Sequence, residues 1–357
     1  MVCPGFGVKM QFLEILNELK RQPRNWLITG VAGFIGSNLL EFLLANNQKI
    51  IGIDNFSTGE RSNLESVKRK VDPQQWKAFK LIEGDIRDRS IFDSLICEDI
   101  NFILHQAALG SVPRSIKQPF DTHDNNVTGF LNVLELSRRI DVDAFVYASS
   151  SSVYGDQTSQ LKIEANVGNL LSPYAVSKSA NEDYANVYAK LYNINTVGLR
   201  YFNVFGRRQN TKGGYTAVIP KWISSIKSIS PVLINGDGMI SRDFCYIDNV
   251  IQANILACFA ETKDQRVFNI ACGESTTLID LLEIIKNAIS DLGFNNTEIN
   301  IHHAPFRDGD ILHSCADISA ARKVLNYIPT HTLATGIKET VNWYYRHDNT
   351  KLKDERS

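Results

Sequence analysis

The chain has 357 residues, and 43% of them are hydrophobic, enough for a sizeable core in one large domain or two of ordinary size. A net charge of -1 and a pI near 6.7 argue against a nucleic-acid or membrane surface. No 18-residue apolar run and no basic-then-apolar leader occurs, so neither a membrane span nor a signal peptide is expected, and the expected location is cytoplasmic.

Residues 10–20, MQFLEILNELK, place Phe12, Leu13, Ile15, Leu16 and Leu19 at helical spacing, as an N-terminal helical extension over 1–24. A short apolar strand, Trp26-Leu27-Ile28, then runs into three glycines, Gly30, Gly33 and Gly36. An amphipathic helix with Leu39, Leu40, Leu43 and Leu44 follows, and a second strand, Ile50 to Ile53, ends on Asp54. Strand, tight turn, helix, strand and terminal acid form a dinucleotide-binding pattern. Gly30 permits the turn, Gly33 lets a pyrophosphate approach the backbone, and Gly36 lets the helix lie on the sheet. The helix N-terminus offers free N–H groups to the diphosphate, and Asp54 can accept from a ribose 2′-hydroxyl.

Further strands are expected at 79–82, 102–104, 145–148 and 196–199, with helices at 126–140 and 174–191 between them. This alternation predicts an α/β fold with a doubly wound parallel sheet over 25–205. After about residue 206, Gly, Pro and polar residues dominate, so 206–345 is expected as a smaller substrate lobe. Val267–Ile270 is a candidate strand returning to the main sheet, and 346–357 reads as a charged, fraying tail. Six cysteines without a CxxC pair point to free thiols in a reducing compartment, and the seven histidines show no metal spacing. His105, at a strand end, is expected to have a packing role.

The stretch Ser172-Pro173-Tyr174-Ala175-Val176-Ser177-Lys178 carries the chemistry. Ser172 and Pro173 suit a helix start, and Tyr174 and Lys178 then share one face. A lysine beside the phenol favours the phenolate, which can take a proton from a sugar hydroxyl while hydride leaves the same carbon. A third hydroxyl is expected from the serine run 149–152, to hold the same sugar oxygen.

Several motifs extend this pattern: GVAGFIG (30–36), DNFSTG (54–59), EGDIRD (83–88), HQAALGSVPRS (105–115), LRYFNVFGRRQ (199–209), SRDFCYIDNV (241–250) and FRDGD (306–310). Through them, residues 25–345 resemble the extended short-chain dehydrogenase/reductases, in their sugar-nucleotide branch. More narrowly, the chain is similar to bacterial UDP-N-acetylhexosamine 4-epimerases, which belong with the UDP-glucose 4-epimerases. The resemblance implies a Rossmann-type fold, NAD as cofactor, a UDP-sugar substrate and a homodimer paired through the helices at 126–140 and 174–191.

It also implies roles for matching positions. Counting back from Val153-Tyr154-Gly155, the active hydroxyl falls on Ser150, with Ser151 next in line to contact it or the substrate. Gly30, Gly33, Phe34, Ile35 and Gly36 form the dinucleotide turn. Asp54, Asn55, Ser57, Thr58 and Gly59 surround the adenosine ribose, and Asp85 and Ile86 flank adenine. Gln106, Ala107 and Ala108 line the nicotinamide path with Asn125 nearby, and Tyr174, Lys178 and Val204 contact the nicotinamide half. The sugar nucleotide is assigned to Gly110, Ser111, Ser150, Ser151, Tyr174, Asn203, Ala217, Val218, Trp222, Asn235, Arg242, Arg307, Asp310 and Ser314. Arg242 and Arg307 suit a diphosphate, which a guanidinium fork grips bidentately. Asp54 disfavours NADP, because a carboxylate repels a 2′-phosphate; Arg61 is expected as a solvated surface arginine.

Two departures narrow the expectation. Related dehydratases and decarboxylases carry an acid after the active hydroxyl, where this chain has Ser151 and Ser152, so chemistry is expected to stop at hydride removal and return. Ser314 stands where relatives confined to unacetylated sugars carry a bulky aromatic, leaving volume for a 2-acetamido group. The expected reaction is C4 epimerisation of UDP-GlcNAc to UDP-GalNAc through a 4-keto sugar, for polysaccharide assembly, with the 6-carboxylate form of the sugar left open. The rival readings are a net oxidoreductase on a UDP-sugar and a non-catalytic NAD-binding protein.

Overall fold

The computed structural model describes residues 11–211, 217–262, 265–294, 299–306 and 313–354. Seven parallel strands form the central sheet: β1 Asn25–Thr29, β2 Lys49–Asp54, β3 Phe79–Glu83, β4 Phe102–His105, β5 Ala144–Ser150, β6 Thr196–Tyr201 and β7 Val267–Ile270. Their order across the sheet is β7-β6-β5-β4-β1-β2-β3, a doubly wound Rossmann-type arrangement. The seventh strand comes from the second half of the chain and pairs with β6, Phe268 opposite Leu199.

Side-chain alternation along these strands divides the core between the two faces. Trp26 and Ile28, Phe102 and Leu104, and Val146 pack into one cluster, while Leu27, Ile103, Phe145 and Tyr147 pack into the other. Helices α1 Phe12–Arg21, α2 Phe34–Ala45 and α6 Ile247–Cys258 supply the first cluster. Helix α3, Gly129–Ile140, and the inner face of α4, Pro173–Tyr192, supply the second. The N-terminal helix docks through fully buried Ile15 and Leu19, with Phe12 stacked on Phe42 at 6.2 Å. Leu39, Leu40, Leu43 and Leu44 of α2 are wholly buried, each contributing about 1.5–3 kcal/mol, which outweighs the roughly 1 kcal/mol that Gly36 costs the helix.

Helical backbone ahead of α3 begins earlier than position 126. A turn at Pro119–His123 leads through a π turn, Asp124–Thr128, into α3. Pro119 at the first helical position starts it, because its fixed φ suits a helix and its missing N–H is not needed there.

The second half of the chain adds α5 Val218–Lys227, α7 Leu278–Asp291 and α8 Leu333–Asp354. Helix α8 continues past the boundary at 345, to Asp354. Small two-stranded pairs complete this half. Val232–Asn235 pairs with Ile301–Ala304, and Ser241–Arg242 with Thr276–Thr277. Cys245–Tyr246 pairs with Val204–Phe205, and Cys315–Ala316 with Leu161–Lys162, joining the second half to the first. Among the described residues no helix is long and apolar enough to cross a membrane, and no His/Cys/Asp/Glu group could hold a metal.

Candidate active site

The strand order reverses at β1, whose neighbours are β2 and β4, with Thr29 opposite Ile53 on one side and His105 on the other. Ligands of such sheets bind outside the carboxyl ends at this point. Here a cavity of about 430 Å³ opens. Gly30 adopts a φ of +69°, and a Cβ on it would stand 2.8 Å from the Ala107 nitrogen. A Cβ on Gly36 would stand 2.1 Å from the Gly30 oxygen, so helix α2 sits on the turn at a separation only glycine allows. Gly33 precedes α2, and the helix aims its first-turn N–H groups at the cavity, where Phe34 and Ile35 form part of the wall.

At the end of β2, the Asp54 carboxylate accepts from the amides of Ala32 and Phe56, both at 2.8 Å. Burial pushes its pKa up and these two amides pull it back. Gly59 leaves room for that carboxylate, since a Cβ there would come within 2.7 Å of Oδ1. Asn55 accepts from the Ser57 amide at 3.0 Å and donates to Asp85 at 2.8 Å. Of the residues expected around the cofactor, all but Asp85 line the cavity. Asp85 stands behind Asn55 and is gripped by the Arg87 side chain, whose hydrogen bonds hold its pKa at about 2. Arg61 is exposed but paired, 2.6 Å from Glu83 and stacked on Phe56.

Strand β5 and helix α4 bring the hydroxyls and the amine together. Ser172 caps α4 by accepting from the Ala175 amide at 3.1 Å, and Pro173 opens the helix. Ser150, the last residue of β5, accepts from the Ser152 amide at 3.1 Å and stands on the cavity wall beside the Tyr174 phenol. Burial raises the Tyr174 pKa, and the Ser150 hydroxyl opposes the rise. The Lys178 ammonium donates to the Ala148 carbonyl at 2.7 Å and lies 5.9 Å from the Tyr174 ring. Burial brings its pKa down to about 8, against the pull of Glu182. His105 meets Thr29 at 2.9 Å; burial, reinforced by the Lys178 charge, lowers its pKa to about 3, so it is neutral. The π turn adds Asn125 to the wall, and its neighbour Asn126 bonds Leu109 and Ser177.

Of the residues expected at the sugar nucleotide, Gly110 lies on this cavity with Ser150 and Tyr174. A second cavity of about 230 Å³ gathers Asn203, Val218, Trp222, Asn235 and Arg242. Ser111 caps the helix Val112–Lys117 in a positive-φ conformation, and exposed Ala217 stands just before α5 without a side-chain cap. Ser314 is 9% exposed, its amide bonded to the Ser241 carbonyl. Ser151, Ser111, Ala217 and Ser314 line neither cavity. Arg307 and Asp310 lie outside the described residues.

Further residues line the cavities without having been singled out by sequence. Tyr201 and Arg208 belong to the LRYFNVFGRRQ motif and line the first, and Lys221 lines the second. Tyr201 and Asn254 fix Gln106: Asn254 donates to the Tyr201 hydroxyl at 2.9 Å and accepts from Gln106 at 3.1 Å. Asp243, next to Arg242, is buried and accepts from the amides of Cys272, Gly273 and Ala316 at 2.9–3.2 Å. The DFC step after Arg242 was its only sequence signal.

A turn that a Cβ would fill, a helix start aimed into a cavity, and a carboxylate at the next strand end fit the pyrophosphate and ribose of NAD. The chain is 36% identical over 326 residues to a putative UDP-glucose 4-epimerase of Methanocaldococcus jannaschii, covering 91% of this chain and 99% of that protein. It superposes with a TM-score of 0.82, at 33% identity over 91% of this chain and 99% of the other, on the UDP-N-acetylglucosamine 4-epimerase of Methanobrevibacter ruminantium in complex with UDP-N-acetylmuramic acid. The UDP-glucuronic acid 4-epimerase of Bacillus cereus, in complex with UDP-glucuronic acid and NAD, superposes with a TM-score of 0.77 at 30% identity, over 90% of this chain and 99% of the other. The profile of one family matches residues 26–271, and on that match this chain belongs to the NAD dependent epimerase/dehydratase family, whose cofactor is NAD.

Proposed function

We propose that this chain, a UDP-sugar 4-epimerase that works with NAD, interconverts UDP-GlcNAc and UDP-GalNAc, with the corresponding uronic acids as further substrates. The observation that carries the reading is the meeting of Ser150, Tyr174 and Lys178 on the wall of the glycine-turn cavity. NAD, when bound, would supply the acceptor for the C4 hydride and its return, so no net redox would result. Tyr174 takes the proton of the C4 hydroxyl, leaving a 4-keto sugar. Ser150 holds the same oxygen, and the Lys178 ammonium stabilises the phenolate. Ser151, next to the active hydroxyl, is assigned to the substrate. Arg242, with Arg307 and Asp310, holds the UDP end firmly. Small residues leave the hexose room to turn: a Cβ on Gly110 would meet nothing within 4 Å, and Ser111, Ala217 and Ser314 are all small.

The acetamido preference is supported by Ser314 and by a structural neighbour named as a UDP-N-acetylglucosamine 4-epimerase. Purified protein should interconvert UDP-GlcNAc and UDP-GalNAc without added cofactor and without accumulating NADH. Turnover of UDP-glucose alone would overturn the acetamido assignment, and accumulating NADH would favour a net oxidoreductase. Tyr174→Phe should keep NAD but lose about 10²–10⁴-fold in kcat; full turnover would remove Tyr174 as base. The product is assigned to surface polysaccharide assembly in the cytoplasm. A homodimer through α3 and α4 is supported by the row Tyr184, Val187 and Leu191 on α4, all exposed.

A further inference from the structure

Glu182 lies one helical turn beyond Lys178 on α4 and does not line the cavity. Its carboxylate accepts from the Ser149 hydroxyl at 2.5 Å and from Arg200 at 2.9 and 2.7 Å, a two-pronged ion pair with side chains only 6% and 13% exposed. Arg200 stands opposite Ser149 in the β5–β6 ladder and donates onward to the Glu164 carbonyl at 3.0 Å. Lys178 is tied to Ala148, the residue before Ser149. Helix α4 is therefore fastened twice to the last three residues of β5, and the third of these is Ser150.

The charges around Lys178 follow from its neighbours. From β4, His105 faces it as a neutral imidazole. From β5 it meets a carbonyl, and on β6 the Arg200 charge is engaged by Glu182. The π turn offers uncharged Asn126, held by Ser177. On α4 itself the neighbours are Tyr174 and Glu182, whose negative charge opposes the loss of the Lys178 proton.

We propose that Glu182, locked by Arg200 and Ser149, is a positioning residue for proton transfer: it keeps the Lys178 ammonium charged beneath Tyr174 and holds Ser150 in register with the phenol. The proposal rests on the reading of Tyr174 and Lys178 as the proton-transfer pair. A bolt of purely structural value would set stability and leave the titration of the phenol unchanged.

The test follows the Tyr174 phenol in the NAD-loaded protein by tyrosinate absorbance, each protein being compared with its own Tyr174→Phe counterpart. Glu182→Gln should raise the midpoint by about one pH unit. The alkaline limb of kcat should move to lower pH, with KM for the UDP-sugar unchanged. Breaking a buried pair on one side can prevent folding, so the double variant Glu182→Gln with Arg200→Gln, which leaves no orphan charge, is measured in parallel and should show the same rise. An unchanged midpoint in either variant, with native circular dichroism and NAD content, overturns the proposal. Failure of the functional reading looks different: the unsubstituted protein would epimerise no UDP-sugar, whereas its phenol could still be titrated.

Discussion

His105 stays neutral beside an ammonium because a second charge in the same buried space would find no compensation. It is 2% exposed, packed against Phe130 and Phe145, and satisfied by the Thr29 hydroxyl. Burial first, and the Lys178 charge second, take its pKa from 6.5 to about 3. In the unfolded chain the same imidazole binds a proton at 6.5. The neutral imidazole thus favours the fold fully above pH 6.5, and its contribution falls by about 1.4 kcal/mol per pH unit as pH drops from there towards 3. An NMR titration should find no His105 transition between pH 5 and 8, and His105→Phe should flatten the acid side of the stability curve. A titration midpoint near 6.5 for this ring would contradict the account.

The turn from β1 into α2 shows how an element can be dictated by three residues. Gly36 faces the Gly30 carbonyl at a separation that a methyl group cannot share. Gly36→Ala should therefore push α2 off the turn at a cost of about 1–3 kcal/mol, weakening NAD retention about tenfold or more. Melting temperature and NAD content after purification measure this, and wild-type values for both would count against it. Local elements of this kind were legible in the sequence. The glycine spacing, the alternation of strands and helices, the returning strand Val267–Ile270 and the Ser172 cap all follow from neighbours along the chain. The four-residue spacing of Tyr174 and Lys178 belongs to the same class. What escaped depends on partners far apart in sequence. Arg208 reaches across 171 residues to Ser37, Gln106 across 148 to Asn254, and Asp243 ties loops from 272 to 316. Asp85, expected beside adenine through the resemblance, is engaged by Arg87 two residues on and does not line the cavity.

At the scale of the whole molecule, helix α4 carries an exposed apolar row among the described residues. Tyr184, Val187 and Leu191 follow one another along α4 at helical spacing, exposed by 39, 46 and 69%. A second copy covering this row would leave its active-site helix at the centre of the dimer. Light scattering should give twice the chain mass of 40.1 kDa, and Val187→Glu with Leu191→Glu should halve it. A monomer in the parent protein at micromolar concentration would dismiss the pairing.

The two cavities are separated by less than they appear to be. Asn203 faces one and Val204 the other, and this stretch is held to the second half of the chain by the two-residue ladder Val204–Cys245 and Phe205–Tyr246. Asn203 has a φ of +32°, so the chain bends immediately before that ladder. Neighbouring residues of one bend thus wall two different cavities, and a change of backbone there alters both.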